Sequence, residues 1–99
     1  MKEVTPDEVV ALLMGSTEVS IIDVRESSEV EAGKIPEAMH IPLGELQTRL
    51  AELEKTTEYV IICRSGNRSG IATQFLNSLG YNASNMVGGM LEWKGTLSK

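Results

Sequence analysis

Cys63 is the single cysteine of this 99-residue chain, and the residues that follow it are of the types that stabilise a thiolate. It opens the polar loop Cys63-Arg64-Ser65-Gly66-Asn67-Arg68, which carries two arginines and a flexible glycine. A loop of this composition can turn successive backbone N–H groups inward and bind an anion. Cationic neighbours and a helix N-terminus lower the pKa of a cysteine from ~8.5 to about 3.5–7.5. We therefore predict that Cys63 is a largely ionised nucleophile at neutral pH.

A cysteine that follows four apolar residues can instead be a small buried hydrophobe. Here the preceding run is Tyr59-Val60-Ile61-Ile62, so this alternative applies to Cys63. The arginines, glycine and serines around the thiol make an unsuitable environment for an apolar side chain. The composition of the loop thus favours a reactive thiol over a buried one.

The segments on either side of the loop predict how Cys63 is positioned. The apolar run 59–62 is typical of a strand inside a parallel sheet that helices cover on both faces. The spacing of apolar residues after the loop predicts a helix over 68–79 that ends at Gly80, and its predicted buried face consists of Ile71, Ala72, Phe75, Leu76 and Leu79. Ligands of open parallel sheets bind beyond the carboxyl ends of the strands, which is where Cys63 falls.

The rest of the chain predicts further strands that alternate with helices. Thr5, Pro6 and Glu8 have the pattern of a capped helix start, and Gly15 is expected to end that helix. The remaining patterns predict strands over 19–24, 39–41 and 84–87, helices over 28–32 and 44–53, and a last short helix that carries Leu91 and Trp93. This alternation predicts an α/β fold, a small three-layer sandwich whose mainly parallel central sheet is flanked by helices. The length suits one domain over residues 1–99.

The composition excludes several classes of function. Nine basic and 14 acidic residues give a net charge of -5, which disfavours nucleic acid or an anionic membrane as a partner. One cysteine and one histidine cannot form a Cys/His zinc site, and we expect neither a metal nor a cofactor. The N-terminus lacks the pattern of a secretory signal, and no apolar stretch approaches the ~20 residues that span a bilayer. We expect a cytoplasmic protein, where the thiol stays reduced.

The chain resembles the rhodanese-type sulfurtransferases in five segments that follow one another at suitable spacing. The loop together with Ser69 resembles the active-site loop of that family. The other four segments are Asp23-Val24-Arg25, Gly33-Lys34-Ile35-Pro36-Glu37-Ala38, Met39-His40-Ile41-Pro42 and Gly88-Gly89-Met90-Leu91-Glu92-Trp93. The sequence departs from the family pattern at Lys34, Glu37 and His40, which lie in a segment that we expect to be structural.

The resemblance implies a two-step transfer of sulfane sulfur. Cys63 takes sulfur from a small anionic donor such as thiosulfate and becomes a persulfide, which cyanide, a thiol or a protein acceptor then discharges. The residues implied to bind the donor are Arg64, Ser65, Gly66, Asn67, Arg68 and Ser69. Arg64 is expected at the mouth of the pocket, whereas Arg68 is either an anion ligand or a structural brace turned towards Asp23.

Two other functions fit the same loop. The chain could hold a persulfide as a relay or binding module for a protein partner. It could also be a cysteine phosphatase or an arsenate reductase, whose loops likewise run from cysteine to arginine but have one residue more between them. We expect Asp23 and Arg25 to form a structural ion pair, Ser69 to serve the backbone of the first helical turn, His40 to be uninvolved in catalysis and Trp93 to pack in the core.

Overall fold

Five parallel strands form one sheet in the computed structural model, which describes residues 1–15 and 18–99. The strands are β1 (Lys2–Val4), β2 (Ser20–Asp23), β3 (Met39–His40), β4 (Glu58–Ile62) and β5 (Asn82–Met86). They lie in the order β1-β5-β4-β2-β3, and every pair is parallel. β4 is therefore the central strand, with β5 on one side and β2 on the other.

In the described ranges, three α-helices and two short 3₁₀-helices lie between the strands, and a third 3₁₀-helix follows β5. The α-helices are α1 (Pro6–Met14), α2 (Ser27–Glu31) and α3 (Asn67–Ser78), and the 3₁₀-helices cover Leu43–Glu45, Gln47–Glu52 and Gly89–Glu92. The predicted capping box of α1 is present: the Glu8 amide donates to the Thr5 hydroxyl, and the Thr5 amide donates to the Glu8 carboxylate. Gly15 caps the other end of α1, as expected. None of the helices in the described ranges is long and apolar enough to cross a membrane.

The two faces of the sheet bury separate apolar clusters, because successive side chains of a strand point to opposite faces. Ile61 and Cys63 belong to the cluster that contacts Ala72 and Leu76 of α3. Val60 and Ile62 belong to the cluster that contains Val9 of α1 and, at its margin, Trp93. Helices on both faces make the predicted three-layer α/β sandwich, and Cys63 faces the layer that contains α3.

Several predicted elements differ from the structure. β1 was not predicted, because three residues on an exposed edge are too few to show an apolar period. The predicted helix over 44–53 is two 3₁₀-helices with non-helical backbone angles at Arg49, whose guanidinium donates to the His40 carbonyl. The predicted buried face of α3 is wrong at Ile71 and Leu79, which are 57% and 39% exposed. The prediction is correct at Ala72 and Leu76, and the helix also buries the two polar residues Ser69 and Thr73.

Candidate functional site

Cys63 directly follows the last residue of β4, the central strand, and precedes α3 by a three-residue turn. Its side chain is 1% exposed, because Ile61 and Cys63 share the face of the sheet that α3 covers. The interpretation that the polar loop keeps Cys63 from being buried is thus wrong, because its side chain belongs to an apolar cluster. Around it, Arg64, Ser65 and Asn67 are exposed, Gly66 and Arg68 are partly buried, and Ser69 is buried.

The Cys63 sulfur has hydrogen-bond contacts with both a backbone amide and a side chain. The Gly66 amide donates a hydrogen bond to Sγ at 3.1 Å, and the Ser69 hydroxyl lies 3.2 Å from Sγ. Gly66 has a φ of +100°, a left-handed conformation that glycine adopts without steric cost, and this conformation turns its N–H towards the sulfur. The loop thus has the form of the anion nest that its composition predicts.

These contacts shift the ionisation of the thiol. Burial raises the pKa of Cys63, but hydrogen bonds from Ser69 and from the backbone amides of Gly66 and Ser65 outweigh that effect. The net result is a pKa below the usual value of a cysteine. The direction agrees with the shift predicted from the loop composition, although the hydrogen bonds rather than the arginines are its main favourable cause.

The carbonyl groups at the start of the loop are bound by the segment that follows β5. The Cys63 carbonyl accepts a hydrogen bond from the Met90 amide at 2.9 Å, and the Arg64 carbonyl accepts one from the Leu91 amide at 3.0 Å. Gly89 makes this approach possible: a Cβ atom there would lie 2.4 Å from the Arg64 carbonyl oxygen. The Gly88-Gly89 turn thus holds the loop so that N–H groups face the sulfur. Sequence analysis placed this turn among the family segments but gave it no role in the site.

The two arginines of the loop have different environments. Arg68 binds the Glu29 carboxylate of α2 through two hydrogen bonds, of 2.6 and 2.8 Å. This contact favours the structural brace over the anion ligand, but the expected direction towards Asp23 is wrong. Arg64 is exposed and forms no ion pair with any residue that the structure describes, so no carboxylate neutralises its charge there.

Asp23 is instead the partner of Arg25, as expected. The Arg25 guanidinium donates to both carboxylate oxygens of Asp23 at 2.8–3.1 Å, and the pair is almost completely buried. Arg25 also donates to the carbonyls of Glu29 and Gly33, so it fixes α2 against the end of β2. His40 contacts the Arg25 carbonyl at 2.7 Å through Nε2. This network supports the loop indirectly, because α2 carries the carboxylate that binds Arg68.

Asn85 on β5 is the site residue that sequence analysis missed. Its Oδ1 accepts a hydrogen bond from the Ser69 hydroxyl, and its Nδ2 donates to the Gly66 carbonyl at 3.1 Å. Ser69 was expected to serve the backbone of the first helical turn, but its hydroxyl instead lies between Asn85 and Cys63. No local signal marks Asn85, since its partners lie 16 and 19 residues away in the chain.

The fold and site together define an α/β domain that carries a cysteine and a polar loop at the end of the central strand of a parallel sheet. The family model of the rhodanese-like domain matches residues 5–96, and this chain belongs to that family. It is 39% identical over 95 residues to YtwF of Bacillus subtilis, which covers 96% of this chain and 92% of that protein. It is 36% identical over 96 residues to the human thiosulfate:glutathione sulfurtransferase, which covers 82% of this chain and 84% of that protein.

A solved structure has the same fold over nearly its whole length. The rhodanese-like domain protein from Staphylococcus aureus superposes with a TM-score of 0.95 at 36% identity, covering 99% of this chain and 97% of that one. The predicted family and fold class are thus confirmed, and the sulfurtransferase family is established for this chain at the level of the domain.

Proposed function

We propose that this chain acts as a single domain that moves sulfane sulfur from a small anionic donor, such as thiosulfate, to a thiophilic acceptor through a persulfide on Cys63. The observation that carries the proposal is the pair of contacts at Sγ, from the Gly66 amide and the Ser69 hydroxyl, at the end of the central strand. Hydrogen-bond donors already oriented at the sulfur stabilise negative charge there without reorganisation during the reaction.

In the first half-reaction, the Cys63 thiolate attacks the outer sulfur of thiosulfate. A bond forms between Sγ and that sulfur, the bond to the sulfite sulfur breaks, and its electron pair leaves with sulfite. In this proposal Arg64 attracts the dianion, and the backbone amides of Ser65, Gly66 and Asn67 bind it while the charge moves. Arg68 and Ser69 act on the loop and on Sγ rather than as primary ligands of the donor.

In the second half-reaction, an acceptor attacks the outer sulfur of the persulfide. The electron pair of the breaking S–S bond returns to Sγ, which regenerates the thiolate. Cyanide, a small thiol or a protein thiol can each serve as the nucleophile. The human relative is named for thiosulfate and glutathione, which supports a small-thiol acceptor for this chain. We place the reaction in the cytoplasm, where a free thiol stays reduced.

Intact-protein mass spectrometry tests the proposal. Incubation with thiosulfate should add the mass of one sulfur atom, and cyanide or a dithiol should remove it. Because Cys63 is the single cysteine, Cys63→Ser should stay unlabelled. Labelling of that variant would contradict the assignment. A persulfide that forms but resists both cyanide and small thiols would favour the relay for a protein partner instead of a free-standing enzyme.

A further inference from the structure

The Ser69 hydroxyl lies between two groups that can both accept its proton. Its oxygen is 3.2 Å from Cys63 Sγ and 2.5 Å from Asn85 Oδ1. A serine hydroxyl has one proton to donate and two lone pairs with which to accept. The side chains of Cys63, Ser69 and Asn85 are all buried, with Asn85 at 4% exposure. Bulk water therefore cannot readily donate a hydrogen bond to an acceptor that loses the Ser69 proton.

The orientation of the Asn85 carboxamide follows from its other contact. Nδ2 lies 3.1 Å from the carbonyl oxygen of Gly66, which can only accept a hydrogen bond. The amide nitrogen must therefore face Gly66, and the amide oxygen must face Ser69. Both ends of the carboxamide are thus determined by their partners, and the Ser69 hydroxyl is the donor that Oδ1 requires.

We propose that Asn85 is a positioning residue that competes with the Cys63 thiolate for the single proton of the Ser69 hydroxyl. In the thiol form there is no competition: Cys63 donates S–H to the Ser69 oxygen, and Ser69 donates to Asn85. In the thiolate form both Sγ and Oδ1 need the same proton. A hydroxyl turned to the sulfur leaves a buried carbonyl oxygen unpaired, which carries a free-energy penalty. Asn85 therefore limits how far the loop favours ionisation.

This competition has a consequence for sulfur transfer, which rests on the proposed function. When the persulfide forms, Sγ loses its charge and the Ser69 proton can return to Asn85. When an acceptor breaks the S–S bond, the electron pair returns to Sγ and the proton turns to the sulfur again. A thiol of lower pKa leaves faster but is a weaker nucleophile as a thiolate. Asn85 would thus balance attack on the donor against discharge to the acceptor.

Titration of the free thiol in three variants tests the proposal without any sulfur donor, so its outcome is independent of the transfer reaction. Asn85→Leu should lower the pKa of Cys63 by on the order of one unit, the effect of one hydrogen bond to a charged group, because the Ser69 proton is freed for the sulfur. Ser69→Ala should raise it. In the Ser69→Ala background, Asn85→Leu should have little further effect, since no proton is left to compete for.

Thr73→Val is the matched control for these variants. Thr73 is buried on α3, and its hydroxyl donates to the Ser69 carbonyl but does not contact the sulfur. Thr73→Val removes this hydrogen bond. The pKa of Cys63 in the Thr73→Val variant should equal that in the unchanged protein. The charged groups on the elements around Cys63 are the same in every variant. They are Arg64, the Arg68–Glu29 pair, the Arg25–Asp23 pair and Glu92, whose carboxylate lies against Gly88.

A thiolate absorbance titration and the pH dependence of iodoacetamide alkylation both give the pKa. An unchanged or raised pKa in a folded Asn85→Leu protein would overturn the proposal, as would the same decrease in the Ser69→Ala background. If Asn85→Leu does not fold, Asn85→Ala has the same expected direction. NMR of the unchanged protein needs no variant: the Asn85 side-chain amide and carbonyl signals should move with the midpoint of the thiol titration, and flat signals would refute the competition.

Discussion

The Arg68 guanidinium binds the Glu29 carboxylate through two hydrogen bonds, of 2.6 and 2.8 Å, across 39 residues of sequence. This ion pair joins the first turn of α3, where the cysteine loop ends, to the short helix α2. It pairs the charge of Arg68 with a carboxylate and leaves Arg64 as the exposed cation of the loop. The position of the loop therefore depends on α2, which itself carries no group in contact with the sulfur.

Replacing the Glu29 carboxylate should lower the stability of the protein in a pH-dependent way. Arg68 lowers the pKa of Glu29 from 4.5 to about 2, so the pair contributes its full stability above about pH 4.5 and loses it as the pH falls towards 2. Glu29→Gln should lower the free energy of unfolding by about 1 kcal/mol at pH 7, since solvent screens a partly exposed pair. Urea unfolding at several pH values should show this difference shrinking below pH 4.5. Glu31→Gln, on the same helix but exposed, is the control; a difference that does not depend on pH would refute the ionic origin.

A side chain at Gly89 should disrupt the cysteine loop, because it would collide with the loop backbone. Gly89 has a φ of +58°, and its Cβ would lie 2.4 Å from the Arg64 carbonyl oxygen. Left-handed strain of about 1–2 kcal/mol and overpacking of about 1–3 kcal/mol together predict that Gly89→Ala loses about 2–5 kcal/mol of stability. The temperature of thermal unfolding and the rate of persulfide formation should both decrease in Gly89→Ala. Gly44→Ala, where no atom lies within 4 Å of the added Cβ, should be neutral; equal effects at the two glycines would contradict this account.

Removal of the Arg64 charge should slow the first half-reaction more than the second. An exposed cation beside the thiolate attracts a dianionic donor before any bond changes, and steering of this kind is worth about tenfold or more in rate. Arg64→Ala should lower the rate of persulfide formation from thiosulfate about tenfold and leave discharge of the preformed persulfide nearly unchanged. Higher salt should reproduce part of the loss. Lys55→Ala removes a cation at the opposite end of the sheet, over the Tyr81 ring, and should change neither step. Equal losses in both steps of Arg64→Ala would exclude steering.

The protein should hydrolyse aryl phosphates poorly. Four residues lie between Cys63 and Arg68, one fewer than in the phosphatase loops, so the ring of N–H donors is too small for a phosphoryl group. Arg68 is also engaged by Glu29 and is not free to bind phosphate oxygens. A misplacement of about 1 Å can cost roughly 100-fold in rate, so we expect turnover at least about 100-fold below sulfur transfer. Assays of both reactions on one preparation decide this, and Cys63-dependent phosphate turnover at a comparable rate would overturn the loop-size argument.

Local patterns predicted most of the sheet and the loop that it presents. The strand before Cys63 and the helix after it follow from an apolar run, a polar turn and a terminal glycine, all within about 25 residues of one another. The predicted strands and helices agree with the structure to within one or two residues at most ends. The prediction succeeded here because short-range signals and the buried sheet favour the same structure.

The partners that orient the loop could not be predicted in this way. The Arg68–Glu29 pair and the Asn85 contacts join elements that are distant in sequence, and their meeting depends on the strand order. For Arg68, the sequence left an anion ligand and a brace towards Asp23 as open alternatives, and neither of them involves Glu29. The apolar spacing likewise did not distinguish Ile71, which is exposed, from its neighbours Ala72 and Thr73, which are buried. Tertiary packing determines these features.

The Gly88-Gly89 turn also dictates when the site can exist. The amides that hold the Cys63 and Arg64 carbonyls belong to Met90 and Leu91, and Asn85 precedes them by only a few residues. All of these partners follow Cys63 in the chain, and the nearest of them, Asn85, does so by 22 residues. A chain truncated before β5 would therefore contain the cysteine loop without the groups that orient it. The environment of Cys63 is thus a property of the folded domain and not of the loop sequence alone.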